Sequence, residues 1–349
     1  MVKVLEGEKL RELECLLGKG IYEGYTLERM LREAPDVHYY LEQDGEVVAC
    51  ASIWTHTDMV DEKGVRAGAI GHFEAMTGEG AKEILELGCR RLKEEGDSYI
   101  IGPIDGSTWN SYRLVTYSDG SMPFLMEPQY KEGYSQWLEE AGFKPTYLYF
   151  SAKETIEEEW QQEPLKENKE TLSDETLLLH NEDSKLAENK LSDDIIIEKV
   201  DLQHLEEVLD SIYEISIQSF KQNLFYKPIE REAFKAMYRS YQQFLVADLI
   251  LVAKKGDKPV GFIFSLPNYL DSTRRSVVIK TIAVLPQYRQ EGIGKKLYEA
   301  VTKEALNLNF REFITALIYK ENNSQRLCGE GKVIREYTLF RKELNHESC

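Results

Sequence analysis

The chain is poor in the residues that would staple it, anchor it in a membrane or bind it to nucleic acid. Its five cysteines, Cys15, Cys50, Cys89, Cys328 and Cys349, form neither an even framework nor a C-x-x-C pair. Disulfides and a structural zinc site are therefore not expected, and no metal ligand set is predicted. No apolar run approaches the roughly 18 residues of a membrane helix. The stretch after Met1, Val2-Lys-Val-Leu-Glu-Gly7, has no apolar signal-peptide core. A cytoplasmic protein without a membrane partner is the expectation. Basic residues are also scarce, with Lys and Arg numbering 43 against 61 Asp and Glu. That balance, a net charge of -18, repels phosphate backbones, and no basic, aromatic-rich segment offsets it. Nucleic acid is not an expected partner.

Half of the negative charge is local. From Lys153 to Asp194 there are 14 acidic and 5 basic side chains, a difference of nine. Glu157-Glu-Glu159, Glu163-Pro164 and Asp193-Asp194 leave too little apolar surface there to offset ordering entropy. The 349 residues suit two domains, and residues 153–194 read as an acidic linker between a unit at 1–152 and one at 195–349.

The most informative segment is Thr281-Ile-Ala-Val-Leu-Pro-Gln-Tyr-Arg-Gln-Glu-Gly-Ile-Gly-Lys295. A β-branched run from Val277 to Val284 stops at Pro286, and Ile293, Leu297, Val301, Ala305 and Leu308 then mark one face of a helix. Between them Arg289, Gln290, Glu291, Gly292, Ile293, Gly294 and Lys295 form R-x-x-G-x-G-K. Glycines at a helix start let main-chain amides approach an oxyanion, and the unpaired first-turn N–H groups and the helix dipole favour phosphate. The segment reads as a pyrophosphate cradle flanked by two cations.

Around it, Leu249-Ile-Leu-Val-Ala253 and Pro259-Val-Gly-Phe-Ile-Phe-Ser-Leu266 predict a hairpin. Strands at Phe313–Tyr319 and Lys332–Phe340 follow the helix. In this order the region from Ile195 to Leu344 resembles the GNAT superfamily of N-acetyltransferases. The resemblance implies an acetyl-CoA-dependent N-acetyltransferase acting on a primary amine of a small molecule or peptide, as a monomer or homodimer. Under it, Ile282, Ala283 and Val284 line the pantetheine arm, residues 289–295 hold the pyrophosphate, and Asn322, Asn323 and Ser324 meet the cofactor or form an ordinary turn. A main-chain N–H near Ala283 or Val284 would polarise the thioester carbonyl.

Catalytic groups are less evident. The general-acid tyrosine of many members would fall near Gly329, where there is none, leaving Cys328 and Tyr337 as substitutes or as packing residues. Tyr226 is the candidate on the acceptor side, with Asn223 and Asp271 as further ones. Lys280 stands where some relatives carry a glutamate base; it points either into the wedge that the resemblance implies between this strand and the next, which splays away from it, favouring an acidic substrate, or to solvent. A non-catalytic acyl-CoA-binding sensor or scaffold is the alternative function.

The first half repeats the order in weaker form. A hairpin at Val37–Leu41 and Val47–Trp54 turns at Asp44-Gly45, and a strand at Ala69–Ala75, a helix at about 80–95 and a strand at Ser98–Pro103 follow. This too resembles a GNAT fold, so the fold class expected is α/β (α+β): two GNAT-like domains, each a mixed, mostly antiparallel twisted sheet flanked by helices. Met76-Thr-Gly-Glu-Gly-Ala81 replaces the cradle, with Glu79 competing for the helix amides, so this half reads as degenerate. His72 and Glu74 share a strand face as satisfied polar groups, and Trp109, Asn110, Tyr112 and Arg113 are either pocket or packing residues.

Overall fold

The computed structural model describes residues 1–129, 131–156, 194–321 and 331–344. Most of the acidic linker, 157–193, and the candidates Asn322, Asn323, Ser324 and Cys328 lie outside them. In the first half, β1 (Val2–Glu6), α1 (Leu27–Glu33), β2 (Val37–Gln43), β3 (Glu46–Trp54), β4 (Gly68–Ala75), α2 (Gly78–Glu94), β5 (Tyr99–Gly102), β6 (Leu114–Ser118), α3 (Tyr134–Glu140) and β7 (Lys144–Thr155) follow one another. The second half runs through β8 (Ile195–Lys199), α4 (Leu205–Ser219), α5 (Arg231–Arg239), β9 (Ile250–Lys255), β10 (Lys258–Pro267), β11 (Ser276–Val284), α6 (Ile293–Asn307), β12 (Glu312–Tyr319) and β13 (Lys332–Glu343).

Local chemistry accounts for most of these elements. Asp44 and Gly45 both take positive φ, 51° and 84°, as a two-residue type I′ hairpin loop requires. In α6 the stripe Ile293, Leu297, Val301 and Ala305 is fully buried, while Leu308, expected on the same face, lies beyond the last helical residue and is 41% exposed. In each half two parallel strands, β4 with β5 and β11 with β12, are joined across a helix, α2 or α6, which covers the sheet.

The closing strands are exchanged. The sheet order is β1-β2-β3-β4-β5-β13-β7-β12-β11-β10-β9-β8, with β6 beside β13. The last strand of the chain, β13, therefore pairs with β5 of the first half (Phe340 opposite Gly102), and β7 pairs with β12 of the second (Ile314 opposite Lys153). The two exchanged strands also pair with each other, antiparallel, from Lys332 opposite Lys153 to Arg341 opposite Lys144. Phe340 completes the first half's core with Ile70, Ile100 and Leu138, and the central core mixes Trp54, Tyr147 and Tyr149 with Phe225, Tyr337 and Leu339. No helix among the described residues is long and apolar enough to cross a membrane.

Truncating Phe340 to Ala should therefore destabilise the first half by about 3–5 kcal/mol, although the residue belongs to the end of the chain. Denaturant unfolding with hydrogen exchange would read this as lost protection of the β5 amides, and unchanged protection there would refute it.

Candidate functional site

In the second half β11 and β12 pair only over Ser276–Ile279 and Glu312–Thr315. Immediately afterwards a bulge in the β10–β11 register leaves Lys280 without a partner, because Phe264 faces Thr281 and Ser265 faces Ile279. A bulge adds a residue to one strand and turns it away from its neighbour. From Thr281 to Val284 the strand pairs with β10 alone, so among the described residues its other edge is open beside the departing β12. Ile282 and Val284 are half-buried there, and Ala283 is buried.

This open edge runs into the start of α6. A 3-10 turn over Pro286–Glu291 ends at Gly292, whose φ of 71° and ψ of 8° suit a residue without Cβ, and the helix begins with no side-chain cap. A methyl group on Gly294 would come no closer than 3.9 Å to its neighbours, so the space over the first turn is free. The flanking cations are used differently from the sequence reading. Arg289 donates from Nη2 to Ser219 O at 2.5 Å and from Nε to Val284 O at 3.4 Å, tying the end of β11 to the carbonyl end of α4, where the helix dipole favours a cation. Exposed Lys295 lies 3.7 Å from Glu299, and Glu291 pairs with Lys255 at 3.1 Å. Gln290 is exposed.

Lys280 reaches inward. Its Nζ donates to Met126 O at 3.0 Å, beside the Phe124 ring of the segment that precedes α3 in the first half. Burial, helped by the guanidinium of Arg113, pulls its ammonium down to about 7. In the same segment the carboxylate of Glu127 is buried, which pushes it above the usual carboxylate range. Glu127 accepts from the hydroxyl of Tyr337 and from Phe124 N at 3.2 Å. Tyr337 is fully buried; its oxygen lies 3.0 Å from Ser151 Oγ, which accepts from Leu317 N at 2.9 Å. Burial and the neighbouring Glu127 both raise the phenol.

The sequence candidates thus separate. Tyr337 belongs to the buried set beside the wedge. Tyr226 does not reach it: its hydroxyl donates to Ile217 O at 3.4 Å, and its ring packs edge-on to Trp109 at 6.2 Å. Trp109 is an anchor between halves, donating from Nε1 to Lys227 O at 2.8 Å and packing on Phe220 and Phe234. Asn223 N closes a turn on Phe220 O, and Asp271 accepts from Ser276 and Thr273, so both brace loops. Sequence reasoning missed Glu127 and Ser151. They come from the other half, and no local pattern links them to β11.

The corresponding places in the first half are filled by the chain itself. Ile104 N donates to Ile70 O at 2.8 Å and His72 N to Asp105 Oδ1 at 2.7 Å, so the edge of β4 beyond Ala69 is already paired. Gly71 permits this, since a Cβ there would lie 2.1 Å from Ile104 O. At the start of α2, Thr77 Oγ1 caps Gly80 N at 3.2 Å, and the Trp137 indole lies where a Cβ on Gly78 would stand. His72 and Glu74 are satisfied polar groups: His72 meets Ser52 at 2.8 Å and Glu33 at 2.5 Å, and Glu74 accepts from Tyr25 and Tyr134. Glu33, His72 and Asp105 bring three metal-type ligand atoms within 4.8 Å of one another. Arg29 bonds both carboxylates, at 3.1 and 2.7 Å, and so already supplies the positive charge a cation would bring.

Residues 209–328 match the family model described as the acetyltransferase (GNAT) family. No curated protein matches the chain. Among solved structures, a conserved protein of unknown function and probable N-acyltransferase from Enterococcus faecalis is similar with a TM-score of 0.52 and 11% identity, covering 98% of this chain and 72% of that one. A GCN5-related N-acetyltransferase from Anabaena variabilis gives 0.51 and 9%, over 99% of this chain and 73% of that one. A tandem GNAT protein from the clavulanic acid biosynthesis pathway aligns over 100% of both chains at 8% identity with a TM-score of 0.46. The first two likenesses concern the fold.

The lowered value for Lys280 carries a stability signature. Between about 7 and the ordinary 10.5 the unfolded chain holds a proton that the folded one has released, so this residue makes stability rise with pH across that window. Lys280→Met should be more stable than the wild type at pH 6, with the gap narrowing by pH 9. Denaturant midpoints at the two pH values would show it, and a gap independent of pH would refute it.

Proposed function

We propose that this chain, whose residues 209–328 match the acetyltransferase (GNAT) family model, transfers an acyl group from acetyl-CoA to a primary amine of a small molecule or peptide, at a single site in the second half. The observation that carries this reading is the open edge of Thr281–Val284 leading straight to the uncapped start of α6. We divide the chain at 1–152, 153–194 and 195–349, with the first unit non-catalytic and contributing its segment 103–129 to the acceptor side.

In this reading the main chain of Ile282, Ala283 and Val284 holds the pantetheine arm. The first-turn amides of α6, from Ile293 to Lys295, hold the pyrophosphate, and Gly292 and Gly294 leave room for it. Arg289 fixes the turn through the main chain of Ser219 and Val284. When bound, acetyl-CoA supplies a thioester whose carbonyl carbon the amine attacks, the C–N bond forming as the C–S bond breaks. Two protons must then be handled, one leaving the amine and one reaching the departing sulfur.

For the first, Lys280 is the group whose ammonium gives up its proton near pH 7 beside the wedge. Solvent supplies the second. Tyr337, buried and bonded to Glu127 and Ser151, acts as a positioning residue that holds Glu127, next to the Met126 carbonyl that Lys280 bonds. The burial of that hydroxyl also favours a competing reading, a non-catalytic acyl-CoA sensor. Amide formation with any member of a panel of amines, amino acids and peptides, read by a mass gain of one acetyl group, rejects it.

Gly294→Ala should fold as the wild type does, since its Cβ finds ordinary contacts, yet weaken CoA binding, and Gly294→Asp should weaken it by more than tenfold, or about 1.4 kcal/mol. Calorimetric titration of CoA gives the answer, and equal binding by wild type and Gly294→Asp sinks the cradle. In a working enzyme kcat should rise with pH through about 7, and Lys280→Met should lose that limb and about 10²–10⁴-fold in rate. An unchanged pH profile in the variant would remove Lys280 from the chemistry.

A further inference from the structure

Arg113 carries more unmet hydrogen-bonding capacity than its position allows without a ligand. It is 7% exposed, and its Nε and Nη1 are buried with no hydrogen-bond partner among the described residues. A buried cation without acceptors loses its hydration with nothing in return, so such groups are ordinarily paired. The guanidinium is instead held by aromatic faces, 4.0 Å over Tyr112 and 4.3 Å over Tyr149, with Tyr337 at 5.8 Å. Stacking of this kind fixes the plane of the group and leaves its N–H donors pointing outward from the rings.

The protein's own carboxylates nearby are engaged elsewhere. Glu127 accepts from Tyr337 and Phe124 N and lies 3.5 Å from Arg335. Asp119 pairs with Arg335 at 3.2 Å and Lys332 at 3.5 Å and accepts from Ser121 N. Glu127 thus already serves Tyr337 and Arg335, and Asp119 serves Arg335 and Lys332, which leaves neither carboxylate to Arg113. Arg113 helps to depress the Lys280 ammonium, so the two share one field. The backbone of Arg113 is also held in a sparsely populated region, φ 66°, by its N–H to Pro103 O at 2.8 Å. A bulky residue kept in that conformation is positioned at a cost to the fold.

We infer that Arg113, supplied by the non-catalytic half, binds a carboxylate carried by one of the two substrates of the transfer site, so that the enzyme selects acidic substrates such as amino acids. A carboxylate offers an acceptor to one of the unmet nitrogens and a counter-charge to the stacked guanidinium. This inference rests on the acyl-transfer reading above. The carboxylate can belong to the amine or to the acyl group, and the two sources call for separate arms of one experiment.

In the first arm, kcat/KM with acetyl-CoA is compared for leucine against isopentylamine and for phenylalanine against 2-phenylethylamine. The second compares succinyl-CoA with acetyl-CoA on the two amines. The wild type should prefer the carboxylate-bearing member in one arm by at least about tenfold, and Arg113→Met should abolish that preference while leaving the Kd for CoA unchanged. Arg113→Gln serves if the first variant does not fold. Where transfer is too slow to measure, thermal shifts of the CoA-loaded wild type with N-acetyl-leucine and with N-isopentylacetamide replace it, and only the former should stabilise. No preference in either arm, an identical preference in a folded Arg113 variant, or equal thermal shifts overturn the inference. Loss of CoA binding by the wild type would instead overturn the cradle itself, so the two failures are distinguishable.

Discussion

The exchange of β7 and β13 is the constraint on which the rest of the molecule depends. Strands β5 and β12 each end a βαβ unit and present a row of main-chain donors and acceptors that must be paired. Each is covered by a strand from the other half, and the two covering strands pair with each other along most of their length. Neither half can therefore complete its sheet by itself. The aromatic layer at the centre, with Tyr147, Tyr149, Phe225 and Tyr337, follows from bringing those strands together.

That exchange also determines what surrounds the open wedge. Strand β13 places Tyr337 beside Ser151 of β7, and the segment before α3 lies across β11, where Lys280 bonds its backbone. The polar groups near Lys280 of β11 are consequently drawn from both halves. Burial among them raises Glu127 and lowers Lys280, which brings two groups that ordinarily titrate far apart closer to neutrality.

The two halves use one architecture to different ends because of a few local substitutions. In the first, Gly71 admits the carbonyl of Ile104, and Thr77 and Trp137 close the start of α2. In the second, the bulge at Lys280 and the space over Gly294 keep the equivalent places open. The sealed wedge of the first half retains a dense polar network, His38 and His72 about Ser52 with Glu33, Asp105 and Arg29, whose members satisfy one another. Burial and the neighbouring His72 keep His38 neutral, lowering it to about 3.

What the amino-acid sequence determined is everything that depends on near neighbours: the hairpins at Asp44-Gly45 and between Ala253 and Pro259, the apolar stripe of α6, the glycine turn, and the missing counterpart at Met76–Ala81. These rest on φ preferences, side-chain period and unpaired helix amides, which act over a few residues. The same locality explains why Arg289 was legible as part of the turn but not as a tie to α4, whose carbonyl end lies 70 residues away in the chain. Only the tertiary structure decided which strand closes which sheet, that Trp109 is an anchor, that Nε and Nη1 of Arg113 have no acceptor among the described residues, and that Lys280 bonds Met126 O next to Glu127. Those outcomes come from contacts between residues more than a hundred positions apart, where pairing is selected by burial and register across the whole sheet and no local pattern records it.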